Sequence, residues 1–141
     1  MADKERVRLL VDALRSGDYR QGRGFLKQTV DGAVLHCCLG VACEIAMANG
    51  VVLTIDAVEG GNGTPLTRFD GEVAVLPGAV SDWYGFQAMP RVQLNASGRT
   101  VEATVLNDGL GGHAPRDFDT LADLFAGTYL DETLGDSDGE S

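Results

Sequence analysis

The stretch LHCCLGVACEIAMANG, Leu35 to Gly50, decides how this chain folds. It holds all three cysteines and one of the two histidines. From Cys38 to Ala48 it is apolar on almost every face, with Glu44 the only charge, and Asn49-Gly50 supplies a stop signal. A short helix that is apolar all round belongs in the middle of a core. Gly40 is costly inside a helix, so it belongs to the first turn or lets another backbone come close.

Working outward from this helix, FLKQTVDGAVLHC reads as two short strands about Asp31-Gly32, a two-residue hairpin signal. Further back, Val7, Leu10, Val11 and Leu14 follow helical spacing, which predicts an amphipathic helix over 3–16 with Gly17 just past its end. DYRQGRG is a polar loop between them. Beyond Gly50, VVLTIDAV predicts a strand, EGGNGTP a mobile loop, and LTRFDGEVAVL a hairpin turning at Asp70-Gly71. PGAVSDWYG predicts one or two helical turns from Pro77 to Gly85, with Trp83 and Tyr84 as core aromatics. RVQLNASGRTVEATVL predicts two strands about Asn95–Gly98, with an Asx turn at Asn107-Asp108 after the second. NDGLGGHAPRD is a loop, and Phe118, Leu121, Leu124 and Phe125 mark a second amphipathic helix. Residues 131–141 read as an acidic disordered tail. Helices and strands intersperse without a βαβ rhythm. The expectation is a single α+β domain over 1–130, an antiparallel sheet with hairpins packed on a buried central helix and two amphipathic terminal helices.

Composition narrows the classes of function. At 141 residues the chain can bury a core without metals or disulfides. It has no apolar run of the ~20 residues that span a bilayer, and its charged N-terminus lacks a signal-peptide pattern. An odd cysteine count with two adjacent argues for reduced thiols and a cytosolic setting. Residues 1–28 carry seven basic and four acidic side chains, a net of +3, and the other 113 residues carry a net of −13. Direct nucleic-acid binding rests on phosphate neutralisation, which so acidic a chain opposes. An anion site near the N-terminus, or mimicry of a nucleic acid by the acidic remainder, stays open.

The cysteines admit three readings. Cys37 or Cys38, at a helix start that favours thiolate, could be a papain-like nucleophile with His113 as base and Asp117 or Asp119 orienting it. Cys38 and Cys43 have zinc-like spacing but lack the remaining ligands of a tetrahedral site. Free cysteine also buries readily as a small hydrophobe. That third reading suits an all-apolar helix best, and it calls for neither a metal nor a cofactor.

LRSGDYRQGRGFL, then CCLGVACEIA, LPGAVSDWYGF, LND and FDTLADLF, together resemble a family of small proteins encoded by bacteriophages, especially phages of actinobacteria. The resemblance spans about residues 10–127 in order. This chain departs from it at Ala42, where the family has leucine, and in a longer GLGGHAPRD loop, which removes His113 as a family trait. The resemblance implies a phage accessory gene acting in the host cytoplasm, and it implies no particular reaction.

If the chain binds a ligand, the loop RSGDYRQGRG is the place to look. Arg15, Arg20 and Arg23 surround glycines able to form an anion nest, Tyr19 can stack on a ring, and Gln21 can read an amide or base edge. Asn107 and Asp108 complete the candidate ligand set. Three functions are expected from these residues. The first is non-enzymatic binding, as a modulator of a host protein through carboxylates such as Asp119, Asp123 and Asp131, or as a trap for a small anionic, nucleotide-type ligand in counter-defence. The second is the cysteine hydrolase of Cys38, Cys37 and His113. The third is a homo-oligomeric interaction module built on the helix 38–48.

Overall fold

The computed structural model describes residues 2–94 and 98–130. The turn expected at 95–98, apart from Gly98, and the tail 131–141 with Asp131 lie outside the described residues. Helix α1 spans Lys4–Arg15, capped by the Asp3 carboxylate on Arg6 N–H, and it buries Val7, Leu10, Val11 and Leu14 as their spacing requires. Each such side chain withdrawn from water contributes ~1.5–3 kcal/mol. Gly17, at φ +80°, takes the left-handed position past the helix end.

Strands β1 (Lys27–Val30) and β2 (Ala33–His36) pair antiparallel through Asp31-Gly32, both at positive φ. Cys37 then opens α2, Cys38–Ala48, of which seven residues are buried. Gly40 sits in its first turn, where a Cβ would lie 1.8 Å from the Leu26 carbonyl oxygen. The glycine is therefore required by close approach of the β1 side of the fold. Helices α1, α3 (Gly78–Tyr84) and α4 (Ala103–Asp108) enclose α2, and the sheet meets it through β2. The central helix is thus wrapped more by helices than by the sheet expected to cover it. Most of it lies inside its own fold, and its exposed side is limited to Glu44, Ile45, Met47 and Ala48. Helix α5, Phe118–Tyr129, packs along α1 and closes the core with Phe118, Leu121, Ala122, Phe125 and Ala126. Tyr84 is fully buried and donates to the Ala42 carbonyl at 2.8 Å, while half-buried Trp83 carries the Arg6 guanidinium over its ring.

The four-stranded antiparallel sheet runs β2-β1-β4-β3, with β3 at Ile55–Glu59 and β4 at Pro65–Phe69. Three expectations change here. The strand foreseen from Val51 begins only at Ile55, because Val51 N–H still bonds back to the Ala46 carbonyl of the helix end. EGGNGTP is a tight hairpin turn joining β3 to β4, held by Gly60 N–H to Thr64 O and Gly63 N–H to Gly60 O. The turn at Asp70-Gly71 does form, yet EVAVL makes no second strand beyond the Phe69–Glu72 bridge, and Val73 O instead accepts from Leu26 N–H. A separate two-stranded sheet pairs β5 (Arg91–Gln93) with β6 (Thr100–Glu102). The strand read through VEATVL stops at Glu102 and becomes α4, so Asn107 and Asp108 end a helix and form no Asx turn.

Candidate functional site

The candidate ligand residues converge only in part. Arg15, Tyr19 and Gln21 line a recess of about 300 Å³ at the junction of α1, the 17–24 loop and the start of α5. Leu14 and Phe118 supply apolar wall, and Gly17, Asp117 and Asp119 complete the lining. Arg20 and Arg23 are exposed and absent from that lining, so the three arginines do not form one nest. Arg15 already donates to Asp123 at 2.8 Å. Asp117 caps α5 by accepting from Thr120 N–H at 2.9 Å, and those hydrogen bonds hold its carboxyl below the ordinary range. Two carboxylates against one occupied guanidinium make a poor anion cradle.

The amides have a different occupation. Asn107 is fully buried. Its Oδ1 accepts from Gln21 Nε2 at 2.9 Å and from Cys38 N–H at 3.2 Å. Its Nδ2 donates to Gly22 O at 2.9 Å and to Asp108 Oδ1 at 2.8 Å. Gln21 Nε2 also donates to the Arg116 carbonyl at 2.7 Å, and Asp108 Oδ1 accepts from Gly24 N–H at 3.0 Å. The Asn107 side chain has thus used both its donors and both acceptor positions. Gln21, Asn107 and Asp108, expected as ligand contacts, are a polar lock that ties the 21–24 loop to α4 and to the first turn of α2. Cys37, the residue capping α2, makes no side-chain capping bond. Asn107 reaches in from α4 to satisfy one of the N–H groups that every helix start leaves unpaired.

The thiols sit behind that lock. Cys37 is 3 % exposed, and Cys38 and Cys43 are fully buried. Burial pushes the Cys37 thiol up to about 11 and raises Cys38 and Cys43 as well, and the helix-start N–H groups beside Cys37 and Cys38 offset it only in part. A working nucleophile needs the opposite shift and an open face. His113, on the loop after α4, bonds through its backbone to Leu110 O, and no hydrogen bond joins its ring to a cysteine among those identified. Cys38, Cys37 and His113 therefore do not assemble the dyad that the hydrolase reading needs. Among the described residues no group of three or more His, Cys, Asp or Glu side chains could hold a metal ion.

A second polar cluster, centred on buried His36 with half-buried partners, was not foreseen from the sequence. His36 Nε2 lies 2.8 Å from Glu44 Oε2, which also holds Lys27 Nζ at 3.1 Å, and the Tyr19 ring stands edge-on to the imidazole. The hydrogen bond from His36, then Lys27, hold the Glu44 carboxyl below its ordinary range against the cost of burial. His36 Nδ1 has no hydrogen-bond partner among the described residues. His36 ends β2 and Glu44 lies in the second turn of α2, and pairing of β1 with β2 sets Lys27 opposite His36.

The family described as domain of unknown function DUF8296 matches residues 3–128, and the chain belongs to that family. No curated protein and no solved structure matches it. No helix among the described residues is long and apolar enough to cross a membrane.

Proposed function

We propose that this protein is a phage-encoded accessory protein that acts in the host cytoplasm by binding a host protein, without catalysing a reaction. One observation carries the reading. The side chains best suited to chemistry, three thiols and the Gln21–Asn107–Asp108 lock, are spent inside the fold, while the first turns of α5 present to solvent Asp119 and also Asp123, which shares its charge with Arg15. These carboxylates stand one turn apart beside a recess walled by Tyr19 and Phe118. An acidic face with an aromatic shoulder suits a basic protein surface, such as one that otherwise meets nucleic acid, and electrostatic complementarity of this kind speeds encounter. Capture of a small anionic or nucleotide-type ligand is the weaker alternative, because the anion would meet Asp117 and Asp119 at the only arginine the recess contains.

The test compares the native chain with the double variant Asp119→Lys, Asp123→Lys as bait in lysate of an actinobacterial host. The expected result is one retained host protein with a basic face, lost with the variant and weakened by added salt. Equal retention by both baits would refute the acidic-face reading. Calorimetric binding of a nucleotide would refute it in favour of ligand capture.

A further inference from the structure

The two outer strands of the four-stranded sheet are treated differently. Strand β2 is covered at its inner end, where His36 N–H donates to Arg20 O and Gly22 N–H donates to His36 O. Among the described residues, strand β3 pairs only with β4. The bonds Asp70 N–H to Thr54 O and Gly60 N–H to Thr64 O show that even-numbered residues along β3 turn their peptide groups towards β4. By alternation, Ile55, Ala57 and Glu59 turn theirs outward, and no hydrogen bond identified among the described residues reaches that side. Natural edge strands are guarded by lysine, proline, bulges or inward charges. This edge has no lysine or proline, and its central charge, Asp56, is engaged by a two-pronged ion pair with Arg68 of β4.

We infer that β3 is a dimer edge, pairing antiparallel with β3 of a second copy about a two-fold axis at Ala57. The register follows from the chemistry of the strand itself. Outward groups must face outward groups, which leaves axes at Asp56, Ala57 or Val58. The axis at Asp56 sets that carboxylate against its own copy. The axis at Val58 leaves Ile55 unpaired within the strand. The axis at Ala57 sets Ile55 against Glu59 of the second copy and Asp56 against its Val58. It uses every outward N–H and C=O of Ile55, Ala57 and Glu59, and it opposes no two like charges. A foreign strand would have to supply this match by chance, whereas a second copy supplies it by symmetry. Two four-stranded sheets then become one continuous sheet. One of its faces carries Val34, Thr29, Thr67 and Ala57 across each half and is partly exposed, Val34 at 46 % and Ile55 at 47 % in the single chain, while Phe69 opposite Ile55 is buried.

Sedimentation equilibrium of the full chain at up to about 1 mM tests this. A concentration-dependent monomer–dimer equilibrium is expected, and Ala57→Pro should hold the chain monomeric with its circular dichroism unchanged. Proline there removes an outward donor and no bond to β4. A second measurement fixes the register independently. Ala57→Cys should oxidise to a covalent dimer, since facing residues of a hydrogen-bonded antiparallel pair have Cα atoms ~5.5 Å apart. Ile55→Cys should not, because its copies stand roughly 13 Å apart, four strand rises. A strict monomer at the highest concentration, a dimer that survives Ala57→Pro, or equal cross-linking at 55 and 57 would each overturn the inference. So would a monomer whose capture of a host partner is abolished by Ala57→Pro, which would give the edge to a foreign strand.

Discussion

Replacing Asn107 tests whether the polar lock is what holds the 21–24 loop and the start of α2 together. Asn107→Ala removes four hydrogen bonds at a site with no solvent access. Gln21 keeps the Arg116 carbonyl and Asp108 keeps Gly24 N–H, so neither is left without a partner. Cys38 N–H and Gly22 C=O are orphaned. Each buried group left unsatisfied costs ~1–3 kcal/mol, and the small cavity adds to that, so a loss of about 3–5 kcal/mol is expected. That is a large part of the ~7–20 kcal/mol that a domain of this size commands. With a urea m-value of ~1.5–2 kcal/mol per molar, the midpoint should fall by about 2 M. Asn107→Asp keeps the shape but places a carboxylate oxygen against Gly22 O and Asp108 Oδ1, an acceptor facing two acceptors. Its carboxyl is then pushed above its ordinary value, so the deficit grows as pH rises through that value and narrows towards pH ~4. Urea melts of both variants between pH 4 and 8 read these quantities. An alanine variant within about 0.5 kcal/mol of the native chain, or an aspartate deficit that ignores pH, would refute the reasoning.

Two further outcomes follow from other contacts. Gly40→Ala places a Cβ 1.8 Å from the Leu26 carbonyl, so α2 and β1 must separate; a loss of about 3 kcal/mol or more is expected, read as a lower urea midpoint or as insoluble expression. Glu44, whose folded carboxyl is depressed by His36 and Lys27, contributes stability that is present above the ordinary carboxylate range near pH ~4.3 and is lost as pH falls through its lower folded value. Midpoints measured from pH 7 down to 3 should therefore decline less steeply in Glu44→Gln than in the native chain.

What the sequence made legible was local. Apolar spacing in α1 and α5, the Asp-Gly turns at 31–32 and 70–71, and the Pro77 and Gly85 ends of α3 each depend on residues within a few positions of one another. The misread segments are those whose state depends on distant partners. EVAVL and VEATVL are both short apolar runs with strand character. One has no strand to pair with, and the other is wound into α4 once β6 has met β5. The site suffered the same limit. Amides beside glycines read as ligand contacts because the groups that would meet a ligand also satisfy buried backbone. Only the fold shows that Gln21 spends its donors on Asn107 and Arg116, 86 and 95 positions away. Gly40 succeeded for the opposite reason, since a glycine in a helix start reports crowding whatever the crowding group is.

These placements divide the molecule by what a substitution can change. The 17–24 loop is tied down through Arg20 and Gly22 to His36, through Gln21 to Arg116, and through Gly22 and Gly24 to the Asn107–Asp108 pair. A loop so tethered has little freedom left for a ligand to organise, and its side-chain amides have none to spare. The face of α5 and the edge of β3 are in the opposite condition: exposed carboxylates on one, and unpaired peptide groups on the other. Changes in the lock should therefore alter stability with little selective effect on recognition, whereas changes at Asp119 or Ala57 should alter association while the core stays intact. Ala57 lies on β3, apart from the lock on α4 and the 21–24 loop, so free energies of changes at Ala57 and Asn107 should add. The words CCLG and LND supply the buried thiols and the Asn107–Asp108 lock, so substitutions in them should be read first as changes in folding.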